Sequence, residues 1–112
     1  MHEFKKNKNS WTFLTNHTHV LLCLARKNTV RVREIALEVG ITERSVQLII
    51  SDLVDAGYIE RKREGRCNSY RINGTLKLRH PLEQHKSINE VIELLKSSSE
   101  HTDITEPEVE SN

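Results

Sequence analysis

At 112 residues the chain is sized for one domain with a modest core. With 4% aromatic and 29% charged residues it reads as a small, well-solvated module. The net charge of +1 hides an asymmetry: residues 97–112 hold five acids and no Lys or Arg, so residues 1–96 hold 17 basic against 11 acidic groups, or +6. A basic body favours a polyanionic partner through counterion release. An ordinary solvated surface with a solubilising acidic tail has the same charge pattern, so charge alone does not separate the two. Cys23 and Cys67 are isolated, without Cys-x-x-Cys spacing, which excludes the disulfide framework of a small secreted domain and points to a reducing cytoplasm. No apolar run approaches the roughly 18 residues of a membrane helix, and the N-terminus is rich in Lys and Asn where a signal peptide is apolar. The expectation is a cytoplasmic chain, neither exported nor membrane-spanning.

Residues 1–10 have little to bury and are expected to form a flexible basic arm. Trp11 and Phe13 follow, either packed on the outside of the core or held for a partner subunit. From Asn16 to Arg26 the run around Val20–Ala25 is apolar nearly all round, as in a helix buried between other elements. Cys23 within it reads as a small buried apolar group. His17, His19 and Cys23 offer a His-x-His-x-x-x-Cys spacing, but a tetrahedral metal site needs further ligands and the sequence supplies no clear set. No metal or other cofactor is expected. A β-branched pair at Thr29–Val30 could add a small strand beside a later hairpin.

The organising stretch runs from Val32 to Ala56 and reads as two helices joined by a tight turn. Val32, Ile35, Ala36 and Val39 recur at i, i+3, i+4, i+7 and so share one helix face. Gly40 supplies a left-handed C-terminal cap, and Ile41 follows as an apolar plug. Thr42 starts the second helix as N-cap, with Glu43 set against its dipole. On that helix Val46, Ile49, Ile50 and Leu53 gather on one face, and Arg44, Gln47, Leu48, Ser51 and Asp55 on the other. The second face is a row of polar groups with one exposed leucine, able to meet base-pair edges in a major groove.

Ala36, Gly40, Val46 and Ile49, with Ile35 and Ile41, meet the pattern of a small residue, a glycine four later, and apolar residues beneath the second helix. In this the stretch resembles the helix-turn-helix of prokaryotic DNA-binding regulators. After Gly57, a further cap, Tyr58–Arg63 and Ser69–Ile72 flank a Gly-containing loop at 64–68 and read as a β-hairpin. Tyr58–Arg79 carries seven basic residues, Arg61, Lys62, Arg63, Arg66, Arg71, Lys77 and Arg79, against Glu60 and Glu64. Alone, such a hairpin would be an edge protected by charge; directly after a recognition helix it reads as a wing. The phrase Asp52–Arg61, with helix end, Gly cap, the Tyr58–Ile59 pair and a basic strand, looks like the recognition-helix-to-wing segment of ArsR-like and MarR-like transcriptional regulators. The likeness spans roughly Trp11–Ile72. It implies a dimeric cytoplasmic regulator with helix 42–56 in the major groove and wing 58–72 on the backbone or minor groove. The Cys-x-Cys box of metal-sensing ArsR-like members has no match, so the resemblance leaves the small-molecule effector unknown.

Pro81 stops any helix from running through Arg79–His80. Ser87-Ile-Asn-Glu90 reads as a capping box opening a helix whose stripe is Ile88, Val91, Ile92 and Leu95. That stripe either closes the protomer's core or meets its counterpart in a homodimer, the second favoured because symmetric DNA sites are matched by twofold proteins. Residues 97–112 are expected to form a disordered acidic tail.

The fold class expected is mostly α with a small β-hairpin: a winged helix-turn-helix over residues 11–86 and an amphipathic C-terminal helix at 87–96. The functional expectation is a sequence-specific regulator of double-stranded DNA; the alternative is a winged helix used for protein interaction, since fold does not fix function. Arg44, Ser45, Gln47, Leu48 and Ser51 are the candidates for base edges, and Thr42 for the helix N-terminus beside a phosphate. Arg61, Arg63 and Arg66 are the candidates for the phosphate backbone or minor groove. Trp11, Phe13, Ile88, Val91, Ile92 and Leu95 are the candidates for a dimer contact. No enzyme is expected: there is no Gly-rich phosphate loop, no His-Glu-x-x-His and no nucleophile with a recognisable base, and Glu83 and Glu90 about His85 are ordinary surface groups.

Overall fold

The computed structural model describes residues 11–27, 29–65 and 67–96, with the side chain of Glu64 excepted. The arm at 1–10, the tail at 97–112 and Arg66 lie outside the described residues. Among the described residues four helices and one antiparallel hairpin follow in the order α1 (Asn16–Arg26), α2 (Val32–Val39), α3 (Glu43–Asp55), β1 (Ile59–Glu64), β2 (Cys67–Ile72) and α4 (Ile88–Leu94). Among the described residues no helix is long and apolar enough to cross a membrane.

The local chemistry sets the boundaries. Gly40 ends α2 at φ 89°, in the left-handed region open to a residue without Cβ. Its N–H donates to the Ala36 carbonyl at 2.8 Å, and that of Ile41 donates to the same oxygen at 3.1 Å. One residue later Thr42 caps α3, its Oγ1 accepting from Ser45 N at 3.0 Å. With so short a connection the two helices cannot separate. Ile35 and Ala36 of α2, and Val46, Ile49, Ile50 and Leu53 of α3, are buried together with Val20, Leu21, Cys23 and Leu24 of α1. Val32, Val39 and Ile41 complete this contact as half-buried groups. Burial of each such aliphatic side chain is worth about 1.5–3 kcal/mol, so the α1–α2–α3 contact is the fold's main source of stability. No charged or polar side chain is buried among the described residues. Burial holds the Cys23 thiol above its ordinary value, against a smaller opposing effect of Arg26, as befits a sulfur acting as a core atom.

The hairpin extends further than the sequence pattern suggests. Glu64 pairs with Cys67 and Arg63 with Asn68, so two positions separate the strands where a loop over 64–68 is expected from sequence. Gly65 stands there at φ 63°. The 64–68 segment has no apolar alternation to mark it as strand. The hairpin is the whole sheet among the described residues; Thr29–Val30 adds no strand, and Val30 is half-buried against the core instead. Ile59 and Tyr70 turn inward and fix the hairpin to the helices.

Behind the hairpin, residues 73–78 are held on both sides. Asn73 Nδ2 donates to the Gly57 carbonyl at 2.5 Å, and the Tyr58 hydroxyl donates to the Lys77 carbonyl at 2.7 Å. The Leu78 N–H donates to the Lys86 carbonyl at 3.0 Å, and the Ile88 and Asn89 N–H groups donate to the Leu76 and Gly74 carbonyls at 2.9 and 2.8 Å. These bonds bring the start of α4 against the protomer's own core. The capping box forms as the sequence indicates, with Ser87 Oγ accepting from Glu90 N at 3.3 Å and Ser87 N donating to Glu90 Oε1 at 2.8 Å.

Candidate functional site

The helix periodicity that buries Val46, Ile49, Ile50 and Leu53 leaves Arg44, Gln47, Leu48 and Ser51 exposed on the opposite side of α3. Leu48 is 55% exposed, an apolar group kept in water among polar neighbours. Arg44 has no ion pair among the described residues. This surface therefore offers a guanidinium, a carboxamide, a hydroxyl and an aliphatic tip, the set that can read base edges by hydrogen bonding and methyl contact.

Thr42 and Ser45 are placed differently. The Thr42 hydroxyl accepts from Ser45 N and donates to Ser45 Oγ at 2.9 Å, so its proton is committed within the cap. Ser45 is half-buried. Both belong to the machinery that starts α3, and what remains to an anion at this end is the exposed N–H groups of the first turn, opposed by the Glu43 carboxylate. Helical periodicity puts Ser45 toward the side of the exposed arc, in keeping with its half-burial.

The strand register divides the hairpin's charges between two faces. Arg61 lies opposite Tyr70 and Arg63 opposite Asn68, on the face that begins with buried Ile59. Glu60, Lys62 and Arg71 lie on the other, where Arg71 Nη1 donates to Glu60 Oε1 at 3.2 Å. Arg61, Lys62 and Arg63 are exposed and carry no ion pair among the described residues. Of the seven basic residues between Tyr58 and Arg79, Arg71 is paired with Glu60 and Lys77 acts on the Glu90 carboxylate; Arg66 falls outside the described residues.

The candidate dimer stripe is only partly open. Ile88 is 4% exposed within its own protomer, which gives this residue to the protomer's core, one of the two alternatives open from sequence; Ile92 is half-buried against the same core. The cause is the backbone tie from Leu76 and Gly74, which sequence periodicity does not reveal. Val91 and Leu95 are half-buried. The open apolar groups of this region are Leu82 and Leu94, 80% and 78% exposed, neither of which the stripe pattern selects. Trp11 and Phe13 are 70% and 91% exposed, touching each other edge to face with ring centroids 5.1 Å apart. They do not pack on the core.

Among the described residues no three His, Cys, Asp or Glu side chains come together as metal ligands. His17 Nε2 donates to Asp52 Oδ2 at 2.8 Å and His19 Nδ1 to Asn16 Oδ1 at 3.0 Å, while Cys23 is in the core. The His-x-His-x-x-x-Cys spacing thus sends its three groups to three different partners. No family model matches this chain, and no curated protein matches it significantly.

Proposed function

We propose that the protein is a winged-helix regulator that binds double-stranded DNA, with α3 in the major groove and the β1–β2 hairpin as the wing on the backbone or minor groove. The observation that carries the reading is a set of exposed groups without carboxylate partners on two elements adjacent in the chain: Arg44, Gln47, Leu48 and Ser51 on α3, and Arg61 and Arg63 on β1. Cations left without carboxylate partners on a domain otherwise rich in ion pairs suit a polyanion. Base discrimination falls to Arg44 and Gln47, with Leu48 against a thymine methyl. Register on the duplex falls to Arg61 and Arg63 through phosphate. The proposal involves no catalysis and no cofactor, and sets the protein in the cytoplasm.

The exposed Trp11–Phe13 pair favours a protein partner as well, because aromatic side chains are enriched at the centres of interfaces. We assign it, with Leu82 and Leu94, to a second copy of the chain, since a twofold protein suits a twofold DNA site. Titration of the isotopically labelled chain with a short duplex at low salt tests the proposal. Amide shifts are expected across 44–51 and 61–63. Shifts confined to the Trp11 or α4 region, or none at all, would overturn it.

A further inference from the structure

A cleft of about 470 Å³ opens where the start of α1, the end of α3 and the segment 78–88 meet. Asp52 and Asp55 stand about 12 and 16.5 Å along α3 from Arg44, at 1.5 Å per residue, so the cleft adjoins the C-terminal end of the helix face that carries Ser51. Its volume falls within the range of small-molecule sites, about 300–1,000 Å³. Leu21, Leu53, Tyr58 and Ile88 contribute apolar wall. The Tyr58 hydroxyl is spent on the Lys77 carbonyl, so the side chain's free contribution is its ring carbon surface.

The polar lining has the opposite sign to the rest of the body. Three carboxylates, Asp52, Asp55 and Glu83, line the cleft against the single guanidinium of Arg79, an excess of two acidic groups over Arg79. One oxygen of Asp52 accepts from His17. The carboxylates of Asp55 and Glu83 have no side-chain partner among the described residues. Asp52 and Asp55 are three apart on a helix and so are neighbours on its surface. The acids do not converge as a metal site would require, which disfavours a compact ion and suits a charge carried at the edge of a larger body.

We propose that this cleft binds a small organic cation, an ammonium or amidinium group on a flat apolar body, with the body against Leu53 and Tyr58 and the charge toward Asp55 and Glu83. The argument is one of charge complementarity. In a body of net +6 over residues 1–96, an anion is drawn to the hairpin and α3, and an apolar wall edged by unmatched carboxylates selects a cation. The inference does not depend on DNA binding, and its test uses no DNA.

The experiment is a titration of the labelled full chain with benzamidinium and with phenethylammonium, at fixed ionic strength, read by amide shifts. Neutral benzamide and anionic benzoate serve as comparisons. Saturable shifts are expected at Thr18, Leu21, Leu53 and Tyr58, with dissociation constants of millimolar order for ions this small. The double variant Asp55→Asn, Glu83→Gln should weaken both cations by about tenfold, the combined effect of two exposed charge partners. Benzamide should bind wild type more weakly than benzamidinium by a similar factor. Failure of both cations to saturate, equal binding of benzamide, or an unchanged constant in the double variant would each overturn the proposal. The comparison of benzamide with benzamidinium needs no variant, so it holds even if the substitutions disturb the fold.

Discussion

Removing the charges of Arg61 and Arg63 should change how binding to DNA depends on salt, by an amount that the hairpin's geometry sets. The two residues are alternate on β1 and share a face, which puts their Cα atoms about 6.8 Å apart at the usual rise of an antiparallel strand. Each can then hold a different phosphate. A phosphate contact contributes about 0.9 to the slope of log K against log salt, so the Arg61→Ala, Arg63→Ala variant should lose about 1.8 from that slope. Over a fourfold change in salt this is about a twelvefold smaller loss of affinity than wild type shows. Arg71 provides the internal comparison: it lies on the opposite face and is matched by Glu60 at 3.2 Å, so Arg71→Ala should leave the slope near that of wild type. Fluorescence anisotropy on a labelled duplex at five or six salt concentrations measures all three. Equal slopes for wild type and the double variant, or an Arg71→Ala effect as large as theirs, would remove this face of the hairpin from the interface.

Gln47→Ala should relax preference at one base pair by about 1–3 kcal/mol if its contact is bidentate, while leaving binding to random duplex unchanged; competition with single-base variants of the site reads this, and unaltered preference after loss of both Arg44 and Gln47 would mean that the wrong face of α3 has been assigned. Ile50→Ala removes a fully buried side chain from the α1–α2–α3 contact and should cost about 2–5 kcal/mol in urea unfolding, a cost below about 1 kcal/mol being incompatible with the packing described. The Glu90 carboxyl is held below the ordinary carboxylate range chiefly by its hydrogen bond from Ser87 N, with lesser help from Lys86 and Lys77 and against some desolvation. Its contribution to the α4 start is therefore complete above the unfolded-chain value and lost as pH falls through the lower folded value. The protection factor of the Ser87 amide, taken against the intrinsic exchange rate at each pH, should fall in that acidic window in wild type, and Glu90→Gln should abolish the pH step. Replacing Trp11 and Phe13 together with Ser should raise the dimer dissociation constant at least about thirtyfold, as for an aromatic hot spot, by sedimentation; no change would assign the pair to some other partner.

The α2–turn–α3 unit is legible in the sequence almost residue by residue because each boundary has its own local chemistry. Gly40 carries the left-handed conformation and Thr42 the cap, and the apolar residues of α3 recur at one period. The hairpin was legible in kind but not in extent. Its outer half is polar on both faces, so nothing in the pattern distinguishes strand from loop where Glu64 meets Cys67. For α4 the capping box and the stripe are visible in sequence, but what the stripe covers is not. The burial of Ile88 depends on the tie between Gly74–Lys77 and Ser87–Asn89, across a dozen residues without periodicity. On α3 the exposed residues follow from periodicity, and so does the half-burial of Ser45, which falls at the side of the exposed arc. The acidic cleft was hidden because its walls come from three separate stretches, none of which is unusual alone.

The central claim, that α3 reads sequence while the hairpin holds backbone, is tested most directly by selecting bound duplexes from a random library at two salt concentrations. The account predicts a discrete, roughly palindromic consensus whose half-sites lie about 10–10.5 base pairs apart or a multiple of that, enriched at both salt concentrations while total recovery falls at the higher one. Recovery of no enriched sequence at either concentration would contradict it.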